Sequence, residues 1–248
     1  MNINNNIKIQ REQSIININD KINYIDYIAW INLDRSHSRY QKMIELLKYL
    51  NIKNSKISAI DGKTEDLNEY KKNNNMTNYE IACCLSHIKA ISYLKDIDGN
   101  YFMICEDDIN FNNVKYFTIN LEKIIKDAPK DFDILIINKT SYFIYDNIYT
   151  LLNSKLQKTW GAVCYIITKN AINKFNNIAL YENNKFKINK NLEVSDIFIY
   201  KYLNTYVYKY NFIATNDEDS EIHSYHLDFH RNCSNIALNN ILNNLETI

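Results

Sequence analysis

Three acidic residues follow an apolar run in Tyr101-Phe102-Met103-Ile104-Cys105-Glu106-Asp107-Asp108. A strand of about five residues ending there pushes carboxylates out at its carboxyl edge, where open α/β sheets bind their ligands. Carboxylates so placed attract a hard divalent cation, and such a cation usually brings a phosphate-bearing substrate. Taken alone, the cluster is more often a solvated turn. Asp61 precedes Gly62 after a second short apolar stretch, and serves either as a turn residue or as an acceptor for base or ribose hydroxyls. His223, His226 and His230 form a late cluster, but no cysteine pair or Glu-x-x-His partner supports zinc there. A polar C-terminal tail accounts for them equally well.

These side chains need elements to hold them. Residues 25–33 read as a buried strand. From 39 to 50, Met43, Ile44, Leu47 and Leu50 recur at helical spacing, with Ser36 or Ser38 as cap. A short strand over 56–60 ends at Asp61-Gly62. Thr77-Asn78-Tyr79-Glu80 is a capping box announcing a helix over 78–96, whose buried face carries Ile81, Cys84, Leu85, Ile88 and Ile91. Beyond the acidic turn, a helix is expected over 114–126, strands over 133–138 and 160–168, a helix over 170–177, a helix over 194–203 and a strand over 205–212. The polar stretch 181–191 reads as a mobile loop. Strands interleaved with helices give an α/β class with parallel strands at the centre of the sheet. Residues 1–24 are expected as a polar extension at or outside the edge of the core, and 25–248 as one domain.

Composition narrows the function. The 248 residues carry 29 acidic and 29 basic side chains, which leaves no basic excess for nucleic acid. The longest apolar runs, such as Ile134-Leu135-Ile136-Ile137, are too short to span a bilayer, and the N-terminus lacks the pattern of a signal peptide. Five cysteines, odd in number and without a C-x-x-C pair, read as reduced thiols in a cytosolic setting, that of the host cell if the source is viral. Heavy use of Asn, Ile, Lys and Tyr, with 3 Gly and 1 Pro, reflects an AT-biased genome rather than a physical requirement.

Several blocks in order give the chain a resemblance. They are Ile31-Asn32-Leu33-Asp34-Arg35 with Arg39, Ser58-Ala59-Ile60-Asp61-Gly62, Glu80 to His87, Ile104 to Asp108, Gly161 with Tyr165 to Thr168, Asp196, and Ser220-Glu221-Ile222. In order and spacing, over roughly 25–223, the chain resembles glycosyltransferase family 25, which includes lipooligosaccharide and collagen-galactosyltransferase-like enzymes. It departs from the family pattern at Ala82 and Cys164, where glycine is usual, and at Ala214-Thr215, where a proline is usual.

The resemblance implies a GT-A type, Rossmann-like fold with a mixed central sheet. It also implies a UDP-sugar donor, with galactose or glucose the first choices, and Mn²⁺ or Mg²⁺ bridging the diphosphate. Asp108 becomes the first candidate ligand. Glu106 is a second ligand or a contact to the ribose or the sugar, Asp107 lies beside them, and His223 is placed to fold back onto the cation. Asp34, Arg35, Arg39 and Asp61, with Asn32, become donor-site residues, the arginines through phosphate. Arg39 paired with Glu45 or facing water is the equal alternative. Ser86 and His87 become donor contacts, although a histidine on the edge of an apolar face is more often structural. Inversion needs one base for the acceptor hydroxyl. Asp196 is the candidate, with Glu193 as its substitute, and a helix N-terminal charge is the plain alternative. Acceptors would be a glycan, a glycolipid or a protein. A degenerate member that binds without turnover, and a metal-dependent phosphoesterase, are the other readings.

Overall fold

A computed structural model describes residues 18–71, 75–152, 160–216, 227–246 and 248. Strand β1 (Tyr27–Asn32) is buried along its whole length, as expected of an apolar run covered on both faces. It pairs in parallel with β2 (Lys53–Ser58) on one side and β3 (Tyr101–Glu106) on the other. On the far side of β3, strand β7 (Trp160–Thr168) runs antiparallel and carries β5 (Ile134–Thr140), followed by β10 (Thr205–Tyr208) and β6 (Tyr149–Leu151). The seven-stranded order β2-β1-β3-β7-β5-β10-β6 is a mixed sheet. It bears out the expected α/β class with a mixed central sheet.

Alternate residues of each strand point to opposite faces, and two cores result. Ala29, Ile31, Phe102, Ile104, Ile136 and Tyr165 face one core, shared with helix α2 (Asn78–Tyr93), α4 (Lys169–Asn176) and α5 (Ser195–Lys201). Ile28, Trp30, Met103, Cys105, Leu135 and Ile166 face the other, with α1 (His37–Leu47), α3 (Leu121–Asp127) and α6 (Leu227–Leu242). The expected capping box is present on α2. The Glu80 amide donates to the Thr77 hydroxyl at 3.2 Å, and the Thr77 amide donates to the Glu80 carboxylate at 2.7 Å.

Five expectations need correction. The centre of the sheet is not parallel, because its middle strand β7 runs antiparallel to both β3 and β5. The helix over 114–126 is a short 3₁₀ turn, Val114–Tyr116, and then α3, because the Asn120 side chain caps a new start by accepting from the Lys123 amide at 2.9 Å. The loop over 181–191 is largely a hairpin of β8 (Ala179–Glu182) and β9 (Lys185–Ile188). Asn183 and Asn184 both take positive φ, 52° and 58°, the backbone of a type I′ turn. The strand over 205–212 stops at Tyr208. The polar extension to residue 24 gives up its last turn to the fold, since Ile22 is fully buried in the α1-side core.

Of the late histidines, His230 lies in α6, whose Cys233, Ala237 and Ile241 are buried against the sheet. His223 and His226, with Ser220-Glu221-Ile222, fall outside the described residues. Among the described residues, no helix is long and apolar enough to cross a membrane.

Candidate active site

A cleft opens at the carboxyl ends of β1 and β3. Asn32, Arg35, Arg39, Asp61, Ser86, His87, Glu106, Asp107 and Asp108 all line it, together with Gly62, Tyr79, Ala82 and Cys83. Strand alternation explains how the three acidic residues divide. Glu106 continues the face of Phe102 and Ile104 toward α2, whereas Asp107 continues the face of Cys105 toward α1.

Asp107 is clamped. Asn32 donates to one carboxylate oxygen at 2.6 Å, and Arg39 donates to the other at 2.9 Å. Burial nonetheless pushes its carboxyl above the usual range, outweighing both partners. Arg39 therefore binds the acidic turn.

Glu106 faces the buried ring of His87, with Nε2 at 3.3 Å, and the thiol of Cys83, at 3.9 Å. Burial acts to raise its carboxyl, but His87, Arg39 and His230 more than offset this and hold it below the usual value. The other ring nitrogen of His87 lies 3.2 Å from the Tyr165 hydroxyl.

Asp108 differs from both neighbours. One of its carboxylate oxygens is buried without a hydrogen-bond partner among the described residues. Burial first, and then the charges of Glu106 and Asp107 against that of Arg39, push its carboxyl up to about 7. Its backbone is pinned, because the Asn216 amide donates to the Asp108 carbonyl at 2.7 Å. Strand β4 (Ile109–Asn110) directly after it pairs with β11 (Ala214–Thr215). The Ala214-Thr215 stretch is thus the one that holds the acidic turn. A buried acceptor oxygen without a donor suits a cation better than a solvated turn does.

The remaining candidates divide. Arg35 donates to Asp61 at 2.7 Å, and the Lys63 amide donates to the other Asp61 oxygen at 2.9 Å. These bonds hold the Asp61 carboxyl low despite burial. The Ser86 hydroxyl accepts from the Ile60 amide at 2.8 Å and donates to the Ala82 carbonyl at 2.7 Å. It tethers the β2 exit to α2 and is committed to backbone. Asp34 does not line the cleft; it pairs with Lys56 and accepts from Ser58 at 2.9 Å.

Asp196, at the start of α5, also stands outside the cleft lining, one link away from it. The Cys83 thiol lies 3.5 Å from the Ser195 hydroxyl, which donates to Asp196 at 3.1 Å. The Gly161 amide donates to the second Asp196 oxygen at 2.9 Å. Burial raises the Asp196 carboxyl, only partly opposed by these two donors. Cys83, Ser195 and Tyr165 were not among the sequence candidates. Cys83 and His87, four residues apart on one helix, carried a readable signal, because that spacing puts both on one face.

The mixed sheet, with its cleft at the carboxyl ends of parallel strands, defines an α/β protein and is consistent with a GT-A-like arrangement. The sequence model described as glycosyltransferase family 25 (LPS biosynthesis protein) matches residues 25–192, more than half of the chain. The chain belongs to that family. A relative named Glycosyltransferase 25 family member, from Drosophila pseudoobscura pseudoobscura, is 28% identical over 118 residues. The match covers 42% of this chain and 18% of the length of that relative. A solved glycosyltransferase involved in the glycosylation of the major capsid of PBCV-1 overlaps 61% of this chain and 63% of its own, with a TM-score of 0.36 and 11% identity. Asp196 and the β11 pairing lie beyond the matched stretch.

Proposed function

We propose that the chain is a metal-dependent, inverting glycosyltransferase. It transfers a hexose, galactose or glucose, from a UDP-sugar to a hydroxyl of a glycan, glycolipid or protein. The observation that carries this reading is the buried, partnerless oxygen of Asp108 in a cleft that Arg35 and Arg39 also line. Asp108, with Glu106 beside it, would hold Mn²⁺ or Mg²⁺, which when bound supplies positive charge to the departing nucleoside diphosphate.

The chain's own groups divide the remaining work. Arg35 and Arg39 bring cationic hydrogen-bond donors to the cleft and suit phosphate oxygens. Asn32 and Arg39 fix Asp107 and so fix the turn that presents Asp108. Asp61, held ionised by Arg35, is suited to accept from ribose hydroxyls. Asp196 accepts the acceptor proton, with Gly161 and Ser195 orienting its carboxylate. Ala82 is buried within α2, and Cys164 is buried in β7 where the β5–β7 register shifts, opposite Asn138.

The test is UDP release from a panel of UDP-sugars, with Mn²⁺ and with EDTA, for the wild type and Asp108→Asn. Release from one donor, lost in EDTA and in the variant, is expected. Full activity of Asp108→Asn would remove the cation assignment.

A further inference from the structure

The middle of α2 and the end of β3 bring three chemically different ligand atoms together. Cys83 Sγ, His87 Nε2 and a Glu106 oxygen all lie within 4.8 Å of one another. Glu106 Oε1 is 3.3 Å from His87 Nε2 and 3.9 Å from Cys83 Sγ. Around a tetrahedral zinc ion, ordinary bond lengths put nitrogen and oxygen ligands about 3.4 Å apart, and sulfur and oxygen ligands about 3.6 Å apart. The two spacings to Glu106 need only a small adjustment to match, and the Cys83–His87 pair stays within the 4.8 Å bound.

Three further features fit a built site. His87 Nδ1 lies 3.2 Å from the Tyr165 hydroxyl, so the ring has the outer partner that orients most metal-bound histidines. His87 and Tyr165 are both fully buried, which fixes the ring against rotation. All three ligand residues line the cleft, so an ion reaches them from solvent and a fourth position is open to water.

We propose that Cys83, His87 and Glu106 form a site for a soft or borderline divalent cation of the zinc class, next to the Asp108 position and sharing Glu106 with it, but built on a thiolate and an imidazole that the Asp108 position lacks. Thiolate and imidazole select Zn²⁺ or Co²⁺ over Mg²⁺ and Mn²⁺. This selection separates the site from one that serves a diphosphate. Without a cation the cluster is closed by hydrogen bonds: Cys83 to Ser195, and His87 to Glu106 and Tyr165. On binding, the Cys83 thiol proton is released to solvent. His87 gives up the Nε2 proton that it donates to Glu106 and takes one on Nδ1, which then donates to the Tyr165 oxygen, so that the Nε2 lone pair is free for the cation with no net proton change at the ring. The inference does not depend on the transferase reading, since it concerns binding alone.

Co²⁺ titration of the full chain tests it. One equivalent is expected to produce the near-ultraviolet charge-transfer band of a cobalt–thiolate bond, displaced by Zn²⁺ and unaffected by excess Mg²⁺. Cys83→Ser should abolish the band, His87→Gln should weaken binding at least tenfold, and Asp108→Asn should leave it in place. Tyr165→Phe should weaken binding roughly 10- to 100-fold through the ring's orientation. Absence of the band in the wild type, its survival in Cys83→Ser, or its loss in Asp108→Asn alone would overturn the site. Should the Cys83 variant fail to fold, Zn²⁺ protection of Cys83 from alkylation in the wild type, mapped by mass spectrometry, decides the matter. Unchanged labelling then rejects the proposal.

Discussion

The guanidinium of Arg39 lies 2.9 Å from the carboxylate of Asp107, and this pair joins the first helix to the acidic turn. Both side chains are largely buried, at 17% and 9% exposure. Removing the arginine leaves a buried carboxylate with Asn32 as its remaining hydrogen-bond donor among the described residues, and a charged hydrogen bond of this kind is worth roughly 2 kcal/mol. Arg39→Ala is expected to lower stability by about that amount in urea unfolding at pH 7. It should also weaken donor binding, because the same clamp fixes the turn that carries Asp108. A variant with unchanged midpoint and slope would show that the pair adds nothing to the fold.

Gly161 is the hinge of the Asp196 anchor. Its φ is +97°, and a Cβ there would sit 2.7 Å from the Thr140 hydroxyl oxygen. Gly161→Ala therefore strains the backbone and crowds β5, at a cost on the order of 1–3 kcal/mol. Because the Gly161 amide holds Asp196, the turnover number should fall further than donor affinity. Paired measurements of thermal stability and of kcat against KM for the donor check this. Equal losses in both kinetic constants would mean that the glycine serves the fold alone.

Much of this architecture was legible because it is written in local patterns. The capping box at Thr77 and Glu80 and the apolar run of β7 place α2 and β7 directly. The acidic turn was readable as a strand end. What escaped notice depends on pairing across the fold. Asn183 and Asn184 form a hairpin turn, but in so Asn-rich a chain they carry no contrast with their surroundings. The β4–β11 pair that pins Asp108 joins residues about a hundred positions apart, and no spacing rule reaches that far. Asp34 looked like a site residue by its place after β1, yet Lys56 and Ser58 on the neighbouring strand claim it.

Lys139 offers a pH-dependent test of burial. Its ammonium is almost enclosed, donates to the Lys209 carbonyl and lies 3.5 Å from an Asn211 oxygen. Burial, reinforced by the nearby Lys209 charge, pulls its pKa down from 10.5 to about 8. Between these values the unfolded chain binds more protons than the folded one, so stability from this residue rises with pH. Lys139→Met removes the effect. Its advantage over the wild type is expected to be largest at pH 7 and to shrink by pH 10, with a full span of roughly 3 kcal/mol at most. Parallel thermal scans at the two pH values test this, and a constant difference would mean that Lys139 titrates as an exposed lysine.

Asp196 is the residue on which the proposed chemistry turns. Its carboxylate is held from both sides, by the Gly161 amide at 2.9 Å and the Ser195 hydroxyl at 3.1 Å, so it is oriented rather than free to rotate. Burial raises its proton affinity, which makes it a stronger base than a solvated aspartate. Asp196→Asn keeps the shape and one acceptor oxygen for Gly161 but cannot take a proton. Transfer is expected to fall by about 10²–10⁴-fold, while calorimetric donor affinity stays within a factor of a few, because Asp196 lies outside the cleft lining. The acid limb of the wild-type rate profile should also sit above the usual carboxylate range, in the direction that burial shifts this group. A variant that transfers at the wild-type rate would move the base elsewhere, with Glu193 the next residue to test.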